Sequence, residues 1–136
     1  MHACICVVFV VFIVGCGQDK FKDTFKKEKG GNFPSPGNSG IISASYNDPS
    51  ILDIRWQSAS DDITSPDRLQ YRIFASASVF ASYAEGEASA DELTAGWTLG
   101  ISSLQVRVVS GAVYNWCNVF VRDDDGNISA YKGSIP

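Results

Sequence analysis

Apolar and polar residues alternate along much of the chain beyond residue 40, and that alternation predicts its elements. Leu52, Ile54 and Trp56 fall on one side of a run whose other side holds Asp53 and Arg55. Leu69, Tyr71, Ile73 and Ala75 repeat the pattern against Gln70, Arg72, Phe74 and Ser76, and Leu104, Val106 and Val108 repeat it against Gln105 and Arg107. A period of two is the mark of a half-buried strand. Ile42 and Ala44 suggest a further strand before these. Tyr114–Tyr131 reads as a β-hairpin: an aromatic and β-branched run, an acidic Gly-Asn turn, and a short returning strand.

One parity conflict stands out in that hairpin. Tyr114 and Trp116 share one side, whereas Cys117, Val119 and Val121 share the other. A regular strand exposes one of these sets, so the pattern predicts a β-bulge near Asn115–Cys117 with Cys117 on the core. Turn clusters punctuate the strands at Asn47-Asp48-Pro49, Ser58–Asp67, Ser110-Gly111 and Asp123–Asn127. Between Ala84 and Gly100 the alternation lapses. There, Ser89 and Glu92 have the spacing of a capping box for one helical turn, and Trp97 adjoins a short strand. Several short strands with this punctuation predict an all-β, antiparallel β-sandwich over residues 41–136.

The N-terminal part follows other rules. Ile5–Val14 is almost wholly apolar and ends in Ile13-Val14-Gly15-Cys16. A run of about 10–12 residues is too short to span a bilayer as a helix and fits a secretory h-region. Residues 17–40 hold Lys20, Lys22, Lys26, Lys27 and Lys29 against Asp19, Asp23 and Glu28, then a Gly/Pro-rich stretch from Gly30 to Gly40. Such a composition predicts a flexible tether with a mean reach of roughly 27 Å.

Two resemblances attach to these residues. Gly15-Cys16 after the short apolar run resembles the lipobox of bacterial lipoproteins. It implies a signal segment over residues 1–16, a lipid-carrying Cys16 at the mature N-terminus, and, with Gly17 next, delivery to the outer membrane or cell surface. The body resembles a fibronectin type III domain. Trp56 matches the core tryptophan of its second strand, Ala59-Ser60-Asp61-Asp62 a following acidic turn, and Leu69-Gln70-Tyr71-Arg72-Ile73 its next strand. Val108, Gly111 and Tyr114 match its Leu-x-x-Gly-x-x-Tyr, which makes Tyr114 the expected tyrosine corner. Asp123, Gly126, Asn127 and Ser129 match its terminal turn. The resemblance covers nearly all of residues 41–131 and implies an immunoglobulin-like sandwich.

Composition removes several functions. Net charge is −4, and residues 41–136 carry twelve acids against six bases, which argues against a nucleic-acid partner. Cys4, Cys6 and Cys16 lie in the leader, so Cys117 is alone in the body and no internal disulfide is expected. His2 is the only histidine, and a chain processed at Cys16 has none. Histidine-based catalysis and metal ligation are then excluded. Asp123-Asp124-Asp125-Gly126-Asn127 resembles a calcium loop, but the sixth position counted from Asp123 is Ile128 rather than glycine. Sandwich topology nonetheless brings Asp61, Asp62 and Asp67 toward Asp123, Asp124 and Asp125, so Asp61, Asp62, Asp123 and Asp125 stand as a calcium candidate. The Asn127-Ile128-Ser129 sequon is incidental in a bacterial lipoprotein. No cofactor and no catalytic residue are assigned.

The expected function is a non-enzymatic, membrane-anchored interaction or adhesion module of the cell envelope, with a protein or glycan partner. A carbohydrate-binding or spacer accessory protein is the alternative. If Val119 and Val121 point inward, Arg72, Phe74, Phe120, Arg122 and Tyr131 are expected to share one exposed face. Aromatic and arginine side chains dominate binding hot spots.

Overall fold

The computed structural model describes residues 32–109 and 111–136; the leader with Cys16, and the tether up to residue 31, lie outside them. The alternating runs become strands β1 (Ser43–Asp48), β2 (Ile51–Arg55) and β3 (Gln70–Ser76). The lapse in alternation holds helix α1 (Tyr83–Ser89) and two two-residue strands, β4 (Asp91–Glu92) and β5 (Thr98–Leu99). Strands β6 (Ser103–Arg107), β7 (Trp116–Arg122) and β8 (Ile128–Ser134) complete the chain.

Two antiparallel sheets result. One has the order β1-β2-β6; the other runs β4-β3-β7-β8, with β5 also paired to β3. The architecture is therefore all-β, as the alternation predicts. Between the sheets lies one core, because β2 contributes Leu52 and Ile54 and β3 contributes Tyr71, Ile73 and Ala75 from a single side each. Trp56 tilts against Tyr71 with ring centroids 5.6 Å apart. Burying each of these large side chains contributes about 1.5–3 kcal/mol.

The parity conflict resolves without the expected bulge. Strand β7 starts at Trp116 and keeps unbroken register with both β3 and β8, so Tyr114 lies ahead of the strand rather than in it. Cys117, Val119 and Val121 then point into the core while Trp116 stays partly exposed. The irregularity occurs instead in β1, where the register slips between Tyr46 and Asp48.

Tyr114 is not a corner of the expected kind. Its ring is buried, but its hydroxyl donates to the Asp91 carboxylate at 2.8 Å rather than to nearby backbone. Helix α1 starts earlier than expected, too. Ser82 caps it, its Oγ accepting from the Glu85 N–H at 3.2 Å, while Glu85 reaches back to the Ala81 N–H at 2.7 Å. Ser89 ends the helix, donating to the Glu85 carbonyl. Glycine at position 86 lets the helix sit close to its neighbours, since a Cβ there would lie 3.2 Å from the Phe80 ring and 3.4 Å from the Phe74 ring of β3.

Part of the expected tether belongs to the fold. Ser35 and Ser60 exchange backbone hydrogen bonds of 2.7 and 3.0 Å, and Asn32 bonds to Asp62. The Gly37 N–H donates to the Tyr131 hydroxyl at 3.1 Å, and that hydroxyl donates to the Gln57 carbonyl at 2.7 Å. Gly37 is required by this approach: a Cβ would sit 2.7 Å from the Gln57 side chain and the Ser58 carbonyl. Ile41 then bridges Lys132 in parallel. Gly37, one of the residues that suggest flexibility here, instead permits close contact.

Candidate functional site

Of the five residues expected to share an exposed face, the structure places four on the outer face of the larger sheet. Register sets Arg72 beside Phe120 and Gln70 beside Arg122. Tyr131 is not among them. It pairs with the inward Val119 and is fully buried between the sheets, where burial pushes its hydroxyl up to about 12. The face is also less exposed than expected. Phe74 and Phe120 are each only 2% accessible, because residues 77–97 form a strap across them and add Phe80, Tyr83 and Trp97 to a second apolar cluster. Asn118, on the same side of β7, anchors the strap by donating to the Phe80 carbonyl at 3.0 Å.

Aromatic rings and guanidinium groups alternate along this face. The Phe120 ring meets Phe74 and Tyr83 edge-on, with centroids 6.0 and 5.2 Å apart. Tyr83 stacks on Trp97 at 5.5 Å with 22° between planes. Arg72 lies 5.0 Å from the Phe74 centroid and 5.6 Å from that of Tyr83, and Arg122 lies 4.4 Å from that of Trp97. Edge-on and offset arrangements suit the ring quadrupoles, and cations favour ring faces.

The two arginines have different roles. Arg72 donates from Nε and Nη2 to both oxygens of Glu92, at 2.8 and 2.7 Å, and from Nη1 to Glu87 at 2.6 Å and to the Tyr83 hydroxyl. It ties α1 and β4 to β3. Hydrogen bonding to Arg72 holds the Glu92 carboxyl below its ordinary value of 4.5. Because that value is lower folded than unfolded, the pair stabilises the strap at neutral pH, and the contribution is lost as falling pH passes through Glu92's lowered value. Trp97 fluorescence is therefore expected to stay constant from pH 7 to 5 and to change only in more acid solution. An Arg72→Met variant should lack that acid step.

Arg122 donates from Nη2 to the Gln70 Oε1, and among the described residues no carboxylate pairs with it. Around it are half-buried Trp97 and Ile128, and Leu99, which pairs with Gln70 and is 60% exposed.

The acidic loops do meet, since the Asp124 N–H donates to Thr64 Oγ1 at 3.2 Å. Their carboxylates are used separately. Asp61 accepts from the Ile63 and Thr64 N–H groups, Asp62 from Asn32, and buried Asp123 from the backbone and side chain of Asn127. Asp124 pairs with Arg68 at 2.8 Å, and Asp125 is exposed. Gly126 closes the turn with φ of 89°, the left-handed conformation expected of it. Among the described residues, no three acidic, cysteine or histidine side chains are placed to hold a metal ion.

Sequence reasoning misses Tyr83, Glu87, Glu92 and Trp97 as members of the outer-face cluster. Ser82-x-x-Glu85, itself a capping-box spacing, could have located the strap's helix. No family model, curated protein or solved structure matches this chain.

Proposed function

We propose that the protein is a lipid-anchored bacterial envelope protein whose single fibronectin type III-like domain acts as a non-enzymatic protein-interaction or adhesion module. The observation that carries this reading is the strand arrangement. Two antiparallel sheets, ordered β1-β2-β6 and β4-β3-β7-β8, support the sandwich that the resemblance implies for the domain. Gly15-Cys16 after a short apolar run supports the anchor, with Cys16 as the acylated residue. Two or more acyl chains suffice for stable attachment, since each buried CH₂ contributes about 0.8 kcal/mol. On this reading the domain sits at the outer membrane or cell surface and presents to a partner the Arg122 end of its outer sheet face, where Leu99 is exposed.

The test is made in a bacterial host expressing the full chain. Wild type is expected to incorporate labelled palmitate and to be processed at Cys16, and Cys16→Ser to remain an unlabelled, unprocessed precursor. Photo-crosslinking of the anchored form is expected to trap a discrete protein. Unchanged labelling in Cys16→Ser removes the anchor, and crosslinks to envelope glycan alone favour the accessory carbohydrate-binding alternative.

A further inference from the structure

The corner formed by Arg122, Trp97, Leu99 and Ile128 sits at the end of the outer face that the strap leaves open. Its cation is fixed but not neutralised. Arg122 is held by the Trp97 ring at 4.4 Å and by the Gln70 side chain, which uses one of the five guanidinium N–H groups. By contrast, Arg72 spends Nε, Nη1 and Nη2 on Glu87, Glu92 and Tyr83, Arg55 pairs with Asp53, and Arg68 pairs with Asp124. The acidic turn that follows Arg122 does not quench it. Asp123 is buried and occupied by Asn127, Asp124 is occupied by Arg68, and exposed Asp125 forms no ion pair among the described residues. Arg107 and Lys132 also form no ion pair among the described residues, but of these three cations only Arg122 is held against an aromatic ring.

We infer that this corner is a docking site for a polypeptide segment carrying a carboxylate side chain between apolar residues, with Arg122 receiving the carboxylate and Leu99 and Ile128 its apolar neighbours. This rests on the interaction-module reading and names the partner's chemistry. Charge selects the anion: a guanidinium already held on a ring loses less freedom when it forms a forked pair with a carboxylate. The flanks select the polymer. Leu99 is 60% exposed on one side of Gln70, and Ile128 borders Arg122 on the other. Tyr83 and Arg122 both lie against the Trp97 ring, which leaves little of its flat surface for a sugar.

The probes are Ac-Leu-Glu-Leu-NH₂, its glutamine counterpart, and a galacturonic acid trisaccharide, each titrated into the labelled full-length chain by NMR. The glutamate peptide is expected to shift the Trp97 indole and Leu99 amide signals saturably. The glutamine peptide should bind at least tenfold more weakly, and Arg122→Gln should abolish the response while Arg107→Gln preserves it. Arg122→Lys keeps the charge and loses the fork, so it is expected to weaken binding several-fold. That variant still tests the site if Arg122→Gln fails to fold. Equal responses to the two peptides, no response at Trp97, or a response to the trisaccharide alone would overturn the inference. Should crosslinking trap a partner that maps to other residues while Trp97 stays silent, this site falls and the interaction-module reading stands. If the glutamate peptide binds here but cells yield no crosslinked protein, the site stands and the broader reading falls.

Discussion

Replacing Phe120 with alanine is expected to destabilise the domain by about 3–5 kcal/mol. The ring is 2% accessible and contacts both Phe74 and Tyr83, so its removal leaves a cavity under the strap. Phe74→Ala should cost a similar amount. Because the two rings touch, the double variant should cost less than the sum but still exhaust much of a typical 5–15 kcal/mol stability. Chemical denaturation decides the matter. Were this face open to solvent, both midpoints would stay within about 0.5 kcal/mol of wild type, and the strap would not be a cover.

The second large effect is expected at Tyr131. Tyr131→Ala removes a fully buried ring and should cost about 3–5 kcal/mol. Tyr131→Phe is more informative, because it keeps the ring and deletes only the hydroxyl shared by the Gly37 N–H and the Gln57 carbonyl. Leaving those part-buried groups without their partner should cost about 1–2 kcal/mol. Limited proteolysis supplies the second readout, with cleavage around Gly37 expected to rise in Tyr131→Phe. A phenylalanine variant with the wild-type midpoint and cleavage pattern would mean that the hydroxyl does not hold the segment.

Alternation made the inner face legible. Leu52, Ile54, Tyr71, Ile73, Val119 and Val121 are buried where a period of two places them. The same rule misleads about the outer face, because it separates two sides of a strand but does not say whether the second side is covered. Phe74 and Phe120 are the informative case: large aromatics on the outward parity, buried by a strap whose own sequence lacks alternation. Tyr131 fails for another reason. Its side depends on the register of β8, which the turn fixes by pairing Arg122 with Ile128, and nothing in the short run Ile128–Tyr131 specifies that pairing on its own. Glu87 and Glu92 resemble ordinary solvated acids until the fold brings Arg72 between them.

The way the chain enters the sandwich sets how the domain answers a mechanical load. A pull on the chain ahead of residue 32 meets the contacts of Asn32, then Ser35, then Gly37, then Ile41, one after another. Contacts taken in series peel singly, unlike the ladder between β3 and β7, whose seven paired positions share a load along the strand. Residues 32–40 would pay out about 30 Å of chain before tension reaches the core strands. In a single-molecule force trace this appears as a short, low-force extension ahead of the main rupture. Tyr131→Phe should lower the force of that first step and leave the rupture force of the β3–β7 ladder in place.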